Sequence, residues 1–188
     1  MPTATAKQEW GIADDDYEYV LKIIRHVGAT FGRTRRTYSI HDEEELRDIL
    51  LAHLNGHLEG AAHAEAFSKR GKTDLIVEYD NRAAFIAECK VWRGEAEFVN
   101  AITQLFSYAT WRDYKTALIV FNKHNMGFTS LREKVSESLR NHPQTIRELA
   151  ASGGGEWRFE LSPPDDLAAR VLIHVFMFDL YMPSSTAT

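Results

Sequence analysis

The sequence predicts an α/β domain, a central mixed sheet flanked by helices. Three observations carry that prediction. Phe98, Ala101, Ile102, Leu105, Phe106 and Ala109 recur at helical spacing, the mark of a helix laid on a sheet. Lys115 to Asn122 encloses the near-continuous apolar run T-A-L-I-V-F, as expected of a strand buried on both faces. Lys72 to Lys90 reads as a β-hairpin. Its first arm carries the β-formers Thr73, Ile76, Val77 and Tyr79, Asp80-Asn81-Arg82 supplies turn chemistry, and a second apolar run starts at Ala84.

The remaining elements follow in chain order. Asp14-Asp15-Asp16 opens a helix at its electropositive end, Val20, Leu21, Ile24 and Val27 form its stripe, and Gly28 is expected to stop it. F-G-R-T-R-R-T then reads as a basic loop. Asp42 with Glu45 gives a capping-box start to a second helix, striped by Leu46, Ile49, Leu50, His53 and Leu54 and ended by Asn55-Gly56. Ala64 to Ser68 reads as a first short strand. From about residue 42 the order is therefore helix, three strands, helix, strand. Beyond it, Ser130 with Glu133 opens another helix that His142-Pro143 ends. Thr145 to Ala151 reads as a short helix, Gly153-Gly154-Gly155 as a flexible break, and Glu156 to Leu161 and Ala169 to Asp179 as closing strands.

A length of 188 residues suits one domain spanning 1–188, with a core at about 42–123 and additions at both ends. The hydrophobic share of 44% and charged share of 26% are those of a globular protein. One cysteine excludes an internal disulfide framework and fits a reducing cytoplasm. The first residues show no apolar signal-peptide core, and no run reaches the ~20 apolar residues of a membrane helix. The expectation is a cytoplasmic protein with no membrane partner. A net charge of −5 does not advertise a nucleic-acid binder, so basic surface must be local: Arg33 to Arg36, Lys69 to Lys72, and Arg112 with Lys115.

Strand alternation puts Glu88 and Lys90 on one face and Phe85, Ala87 and Cys89 on the other. The hairpin brings Asp74 toward Glu88. Lys and Glu seldom occupy core strands unless they are paired or functional. An acid, a spacer of about a dozen residues, then Glu-x-Lys at a strand end resembles the PD-(D/E)XK nuclease superfamily, with its restriction-endonuclease-like αβββαβ core. Asp74, Glu88 and Lys90 match the motif, and Thr73 stands where the motif's name has proline.

The resemblance implies Mg²⁺ or Mn²⁺ held by Asp74, Glu88 and the carbonyl of Cys89, with Lys90 orienting the attacking water or stabilising transition-state charge. At the ordinary lysine pKa of about 10.4, charge stabilisation is the sounder role. Gln104 and Tyr108 resemble a Q-x-x-x-Y motif that lies near the active site in several branches. An acid from the first core helix completes many such sites; Glu45 is chosen here over Glu44, and Glu65 competes from the first strand. Lys72, Arg93 and Arg112 are the expected nucleic-acid contacts. DNA is favoured over RNA, a two-fold homodimer would suit cutting both strands, and likeness to a bacterial group points to repair or defence. The rivals are a non-catalytic nucleic-acid-binding module of the same fold, and an effector nuclease activated by a partner or ligand. In the second, the strand at Val171 to Phe178 and exposed aromatics would serve self-association.

Simpler readings compete for other residues. His53, His57 and His63 suggest zinc, but ordinary surface histidines are the commoner case. Cys89, with no histidine–acid partner evident, reads as a small buried hydrophobe. Trp92 and Trp111 could stack on bases, although packing is the more frequent role.

Overall fold

The computed structural model describes residues 12–58, 62–64, 67–68, 71–72, 74–79, 82–108, 115–150 and 153–183, with the side chains of 62–64, 67–68, 71–72, 78–79, 82–84 and 108 outside that description. Helices α1 (Asp14–Arg33), α2 (Arg35–Tyr38) and α3 (Glu43–His57) come first. Short strands β1 (Ala62–Ala64), β2 (Phe67–Ser68) and β3 (Gly71–Lys72) follow, then the hairpin β4 (Leu75–Tyr79) and β5 (Arg82–Val91). Helix α4 (Glu95–Tyr108), strand β6 (Lys115–Asn122), helix α5 (Phe128–Arg140) and strands β7 (Thr145–Leu149), β8 (Glu156–Leu161) and β9 (Val171–Asp179) complete the order. The seven-stranded sheet runs β1-β4-β5-β6-β9-β8-β7, and β2 pairs with β3 apart from it. β5, β6 and β9 are parallel neighbours, while the pairings outside them are antiparallel. The predicted mixed α/β sheet flanked by helices is present.

Two apolar layers sandwich the sheet. On one face α1 and α3 bury Leu21, Ile24 and Leu50 against Phe85, Cys89 and Ile119. On the other, α4 and α5 bury Ile102, Leu105 and Val135 against Leu118, Val120 and Phe159. Each such side chain contributes about 1.5–3 kcal/mol relative to an exposed one.

Several boundaries differ from the sequence reading, each for a local reason. Gly28 does not stop α1. A Cβ there would lie 2.0 Å from the Phe178 ring, so the glycine lets α1 press onto β9. The F-G-R-T-R-R-T segment is the end of α1 plus α2, pinned where buried Phe31 meets Tyr38 at 4.6 Å. Helix α3 passes through Asn55 and Gly56, because half-buried Leu58 packs on the core and its N–H bonds the Leu54 carbonyl at 2.8 Å. The expected strand at Ala64 to Ser68 is split between β1 and β2, which pair with different partners, and Lys72 belongs to β3 rather than to the hairpin.

The C-terminal third holds the larger corrections. Helix α5 starts at Phe128, entered from Gly127, with no side-chain cap at Ser130. Thr145 to Leu149 is an edge strand and not a helix, since β-branched Thr145 and Ile146 suit an extended chain and β8 supplies the partner. The glycine run is a bonded turn: Glu156 N–H reaches the Gly153 carbonyl at 3.0 Å, and Met177 N–H the Gly155 carbonyl at 2.8 Å. Strand β9 lies between β6 and β8 with both faces covered, so Val171 to Phe178 is core and offers no surface for self-association. Trp92 is likewise buried, 5.7 Å from Phe98, and does not present a stacking face. Among the described residues, no helix is long and apolar enough to cross a membrane.

Candidate active site

The hairpin register sets the site. Leu75 pairs with Ala87, so Asp74, one residue before β4, stands level with Glu88. Asp74 Oδ2 accepts the Cys89 N–H at 2.9 Å, which fixes its carboxylate at the strand. Phe85, Ala87 and Cys89 enter the α1/α3 core, and Glu88 and Lys90 take the opposite face with Ile86. Lys90 Nζ lies 2.8 Å from Glu88 Oε1, 3.6 Å from Asp74 Oδ2 and 3.5 Å from Glu43 Oε1. Glu43 Oε2 also accepts the Val91 N–H at 2.7 Å, which ties the start of α3 to the end of β5. Three carboxylates therefore meet one ammonium.

Glu88 is the strained member. It is 1% exposed, and its Oε2 has no hydrogen-bond partner. Burial, then the Asp74 charge, pushes its carboxyl up to about 7 against the pull of Lys90. For Lys90, burial alone would favour the neutral amine. The hydrogen bond and charge of Glu88, with Asp74 and Glu43, outweigh it and hold the ammonium above the usual lysine range. Lys90 is thus a fixed cation, suited to stabilising developing negative charge and unsuited to acting as a base at neutral pH. Burial pushes the Cys89 thiol well up as well, so it stays protonated and is no nucleophile.

Through Lys90 the cluster borders a cleft of about 180 Å³ between the end of β5 and α4, lined also by Arg93, Asn100 and Gln104 among others. Gly94, at φ 132°, turns the chain sharply from β5 into α4, a conformation that favours glycine. Gln104 and exposed Arg93 thus share the Lys90 cleft. Tyr108 ends α4 and Lys72 lies in β3, but both side chains are outside the described residues, as are Arg112, Glu65 and Trp111.

Glu45 is a correction. Its Oε2 accepts the Asp42 N–H at 2.9 Å and stands 3.2 Å from His41 Nδ1, while Asp42 Oδ1 accepts the Glu45 N–H. It caps α3 and does not reach the cluster. Glu44 is exposed, and Glu43 supplies the third carboxylate. The missed signal was periodicity: Glu43 precedes buried Leu46, Leu50 and Leu54 by 3, 7 and 11 residues and so shares their inward face.

The donor set suits a hard divalent cation: a buried carboxylate with an orphaned oxygen, a second carboxylate level with it and a third close by. Among the described residues, no three His, Cys, Asp or Glu side chains form a ready-made metal cage. Mg²⁺ requires none, because it keeps several waters and takes one or two carboxylates. His53 and His57 are exposed, on an unbroken α3, and belong to no metal cluster among the described residues. No protein-family model, curated protein or solved structure matches the chain.

Proposed function

We propose that this protein is a metal-dependent nuclease that hydrolyses phosphodiester bonds, with DNA as the favoured substrate and the Asp74–Glu88–Lys90 cluster as its active site. The observation that carries the proposal is Glu88: a carboxylate 1% exposed, one oxygen unpaired, beside a lysine it shares with two other acids. Such an arrangement is costly to stability unless function retains it. Asp74, Glu88 and the Cys89 carbonyl would hold Mg²⁺ or Mn²⁺, which when bound neutralises phosphate charge and lowers the pKa of its water. Lys90 then faces the scissile phosphate as the resident cation and stabilises the extra negative charge of the transition state. Glu43 holds the end of β5 through Val91 and keeps Lys90 oriented. Gln104 and Arg93 position the substrate in the cleft.

The test is cleavage of labelled linear, circular and single-stranded DNA and of RNA, with Mg²⁺, Mn²⁺ or EDTA. Metal-dependent cutting that Asp74→Ala and Lys90→Ala both lower by about 100-fold or more is the expected result. No cutting of any substrate by the folded protein would overturn the proposal in favour of its two rivals, a binding module or an effector that needs an activator.

A further inference from the structure

The basic segment at the end of α1 is unused by the site so far described, and the fold brings it to the catalytic edge. A chain of bonds leads there from β5. Trp92 N–H donates to the Phe121 carbonyl at 2.9 Å; the next residue, Asn122, donates Nδ2 to Asp179 Oδ1 at 2.8 Å; and Asp179 Oδ2 pairs with Arg35 Nη1 at 3.0 Å. The carboxyl ends of β5, β6 and β9 and the start of α2 therefore form one rim. Arg35 is committed to Asp179 and to the Gly32 carbonyl. Arg33 and Arg36 on either side of it are exposed and form no ion pair among the described residues. Lys123, between this segment and α3, donates to the His41 carbonyl. Arg93 lies beyond the carboxylates, on the α4 side.

We infer that Arg33 and Arg36 are a phosphate-docking surface for duplex DNA, displaced from Lys90 along the strand ends. The inference rests on the nuclease reading and gives a chain of net charge −5 a local cationic footing beside the acidic site, in addition to Arg93. β5 and β9 are two strand spacings apart, about 10 Å, which at ~3.4 Å per nucleotide step is roughly three phosphates. A duplex keeps its phosphates in stiff rows, so two separated footings engage without the cost of ordering a flexible strand. Arg33, in the last turn of α1, also suits the helix dipole there. Arg36 carries the sharper test.

Binding is measured by fluorescence anisotropy of a 20-base-pair duplex (a length chosen, on the order of two helical turns) against the full chain carrying Asp74→Asn, over a salt series. The expected result is a slope of log affinity against log salt shallower by about 1 for Arg36→Ala and about 2 for Arg33→Ala/Arg36→Ala, with affinity down roughly 10-fold in the double variant. Lys134→Ala on α5 should leave the slope unchanged, and circular dichroism should show all variants folded. An unchanged slope in the double variant overturns the docking surface while cutting by the wild type stands. Binding confined to RNA, or no binding, also overturns it. A shallower slope in a protein that cuts nothing upholds the surface and sinks the nuclease.

Discussion

Two buried polar clusters sit on the same sheet, and they are built on opposite principles. On β8 and β9, Glu156 receives Arg25 through Nε at 2.7 Å and Nη2 at 3.0 Å, and His174 Nε2 at 3.1 Å. His174 Nδ1 accepts Arg158 Nε at 3.3 Å, which places its own proton on Nε2, and Arg158 Nη2 reaches Glu18 at 2.6 Å. Every partner there is answered. Burial alone would raise Glu156, yet His174 and Arg25 outweigh it and hold its carboxyl at about 2. On β5 the acids outnumber the cation, one Glu88 oxygen has no partner, and the carboxyl rises to about 7. The comparison separates two uses of buried charge. A closed network holds the fold, and an open one stores a demand that a ligand can meet.

The largest expected effect is catalytic. Lys90→Ala should lower cutting by about 10²–10³-fold, the usual loss when one preorganised cation or donor is removed, whereas Arg158→Ala should leave the rate per folded molecule unchanged. Equal losses in both, measured on protein of matched fold, would erase the distinction.

Next are the glutamates, whose stability effects should have opposite signs. Glu156→Gln breaks a closed network and should cost about 2–3 kcal/mol at pH 7. Its folded pKa is depressed, so its contribution is present above the unfolded value near 4.5 and fades as pH falls toward 2. Glu88 is the reverse. With a folded pKa raised above the unfolded value, its favourable contribution is complete below pH 4.5 and is lost as pH rises through about 7. In EDTA at pH 8, Glu88→Gln should therefore stabilise the protein by about 1–2 kcal/mol, less than the full shift implies because Lys90 loses its nearest partner. The gain should vanish at pH 5. Thermal melts at the two pH values decide it, and a variant less stable at both would show the Glu88 cluster to be structural.

A smaller effect distinguishes them through metal. Mg²⁺ at ten times its Kd should stabilise the wild type by about 1.4 kcal/mol, because on the proposed reading only the folded cluster binds it. The same melt in Glu156→Gln should show the full gain and in Glu88→Gln little of it. Equal gains in both would place the metal elsewhere.

The two clusters were unequally legible. Asp74, Glu88 and Lys90 could be read because they break the pattern of an apolar hairpin, and a period of two fixes the face of each residue. The Glu156 network joins α1 to β8 and β9 over more than 130 positions, a pairing no local pattern encodes. Where the reading slipped, a tertiary contact overruled a local preference. The Phe178 ring against Gly28, Leu58 beyond Gly56, and β8 beside Thr145 each supplied a partner that sequence neighbours cannot announce. Glu43 is different, since the stripe through Leu46, Leu50 and Leu54 did point to it.

That difference gives the finest test, between acids two residues apart. Glu43 touches Lys90 and the Val91 N–H, so Glu43→Gln should slow cutting about 10–100-fold, as expected when a group that orients an active-site residue is lost. Glu45 accepts the Asp42 N–H at the mouth of α3, and glutamine can do the same. Glu45→Gln should leave cutting intact and shift stability by less than about 0.5 kcal/mol, while Asp42→Ala, which removes the cap itself, costs about 1 kcal/mol. Initial rates and melts on the three variants suffice. A slow Glu45→Gln beside a fast Glu43→Gln would move the third carboxylate back to the capping residue and reopen how α3 meets the strand.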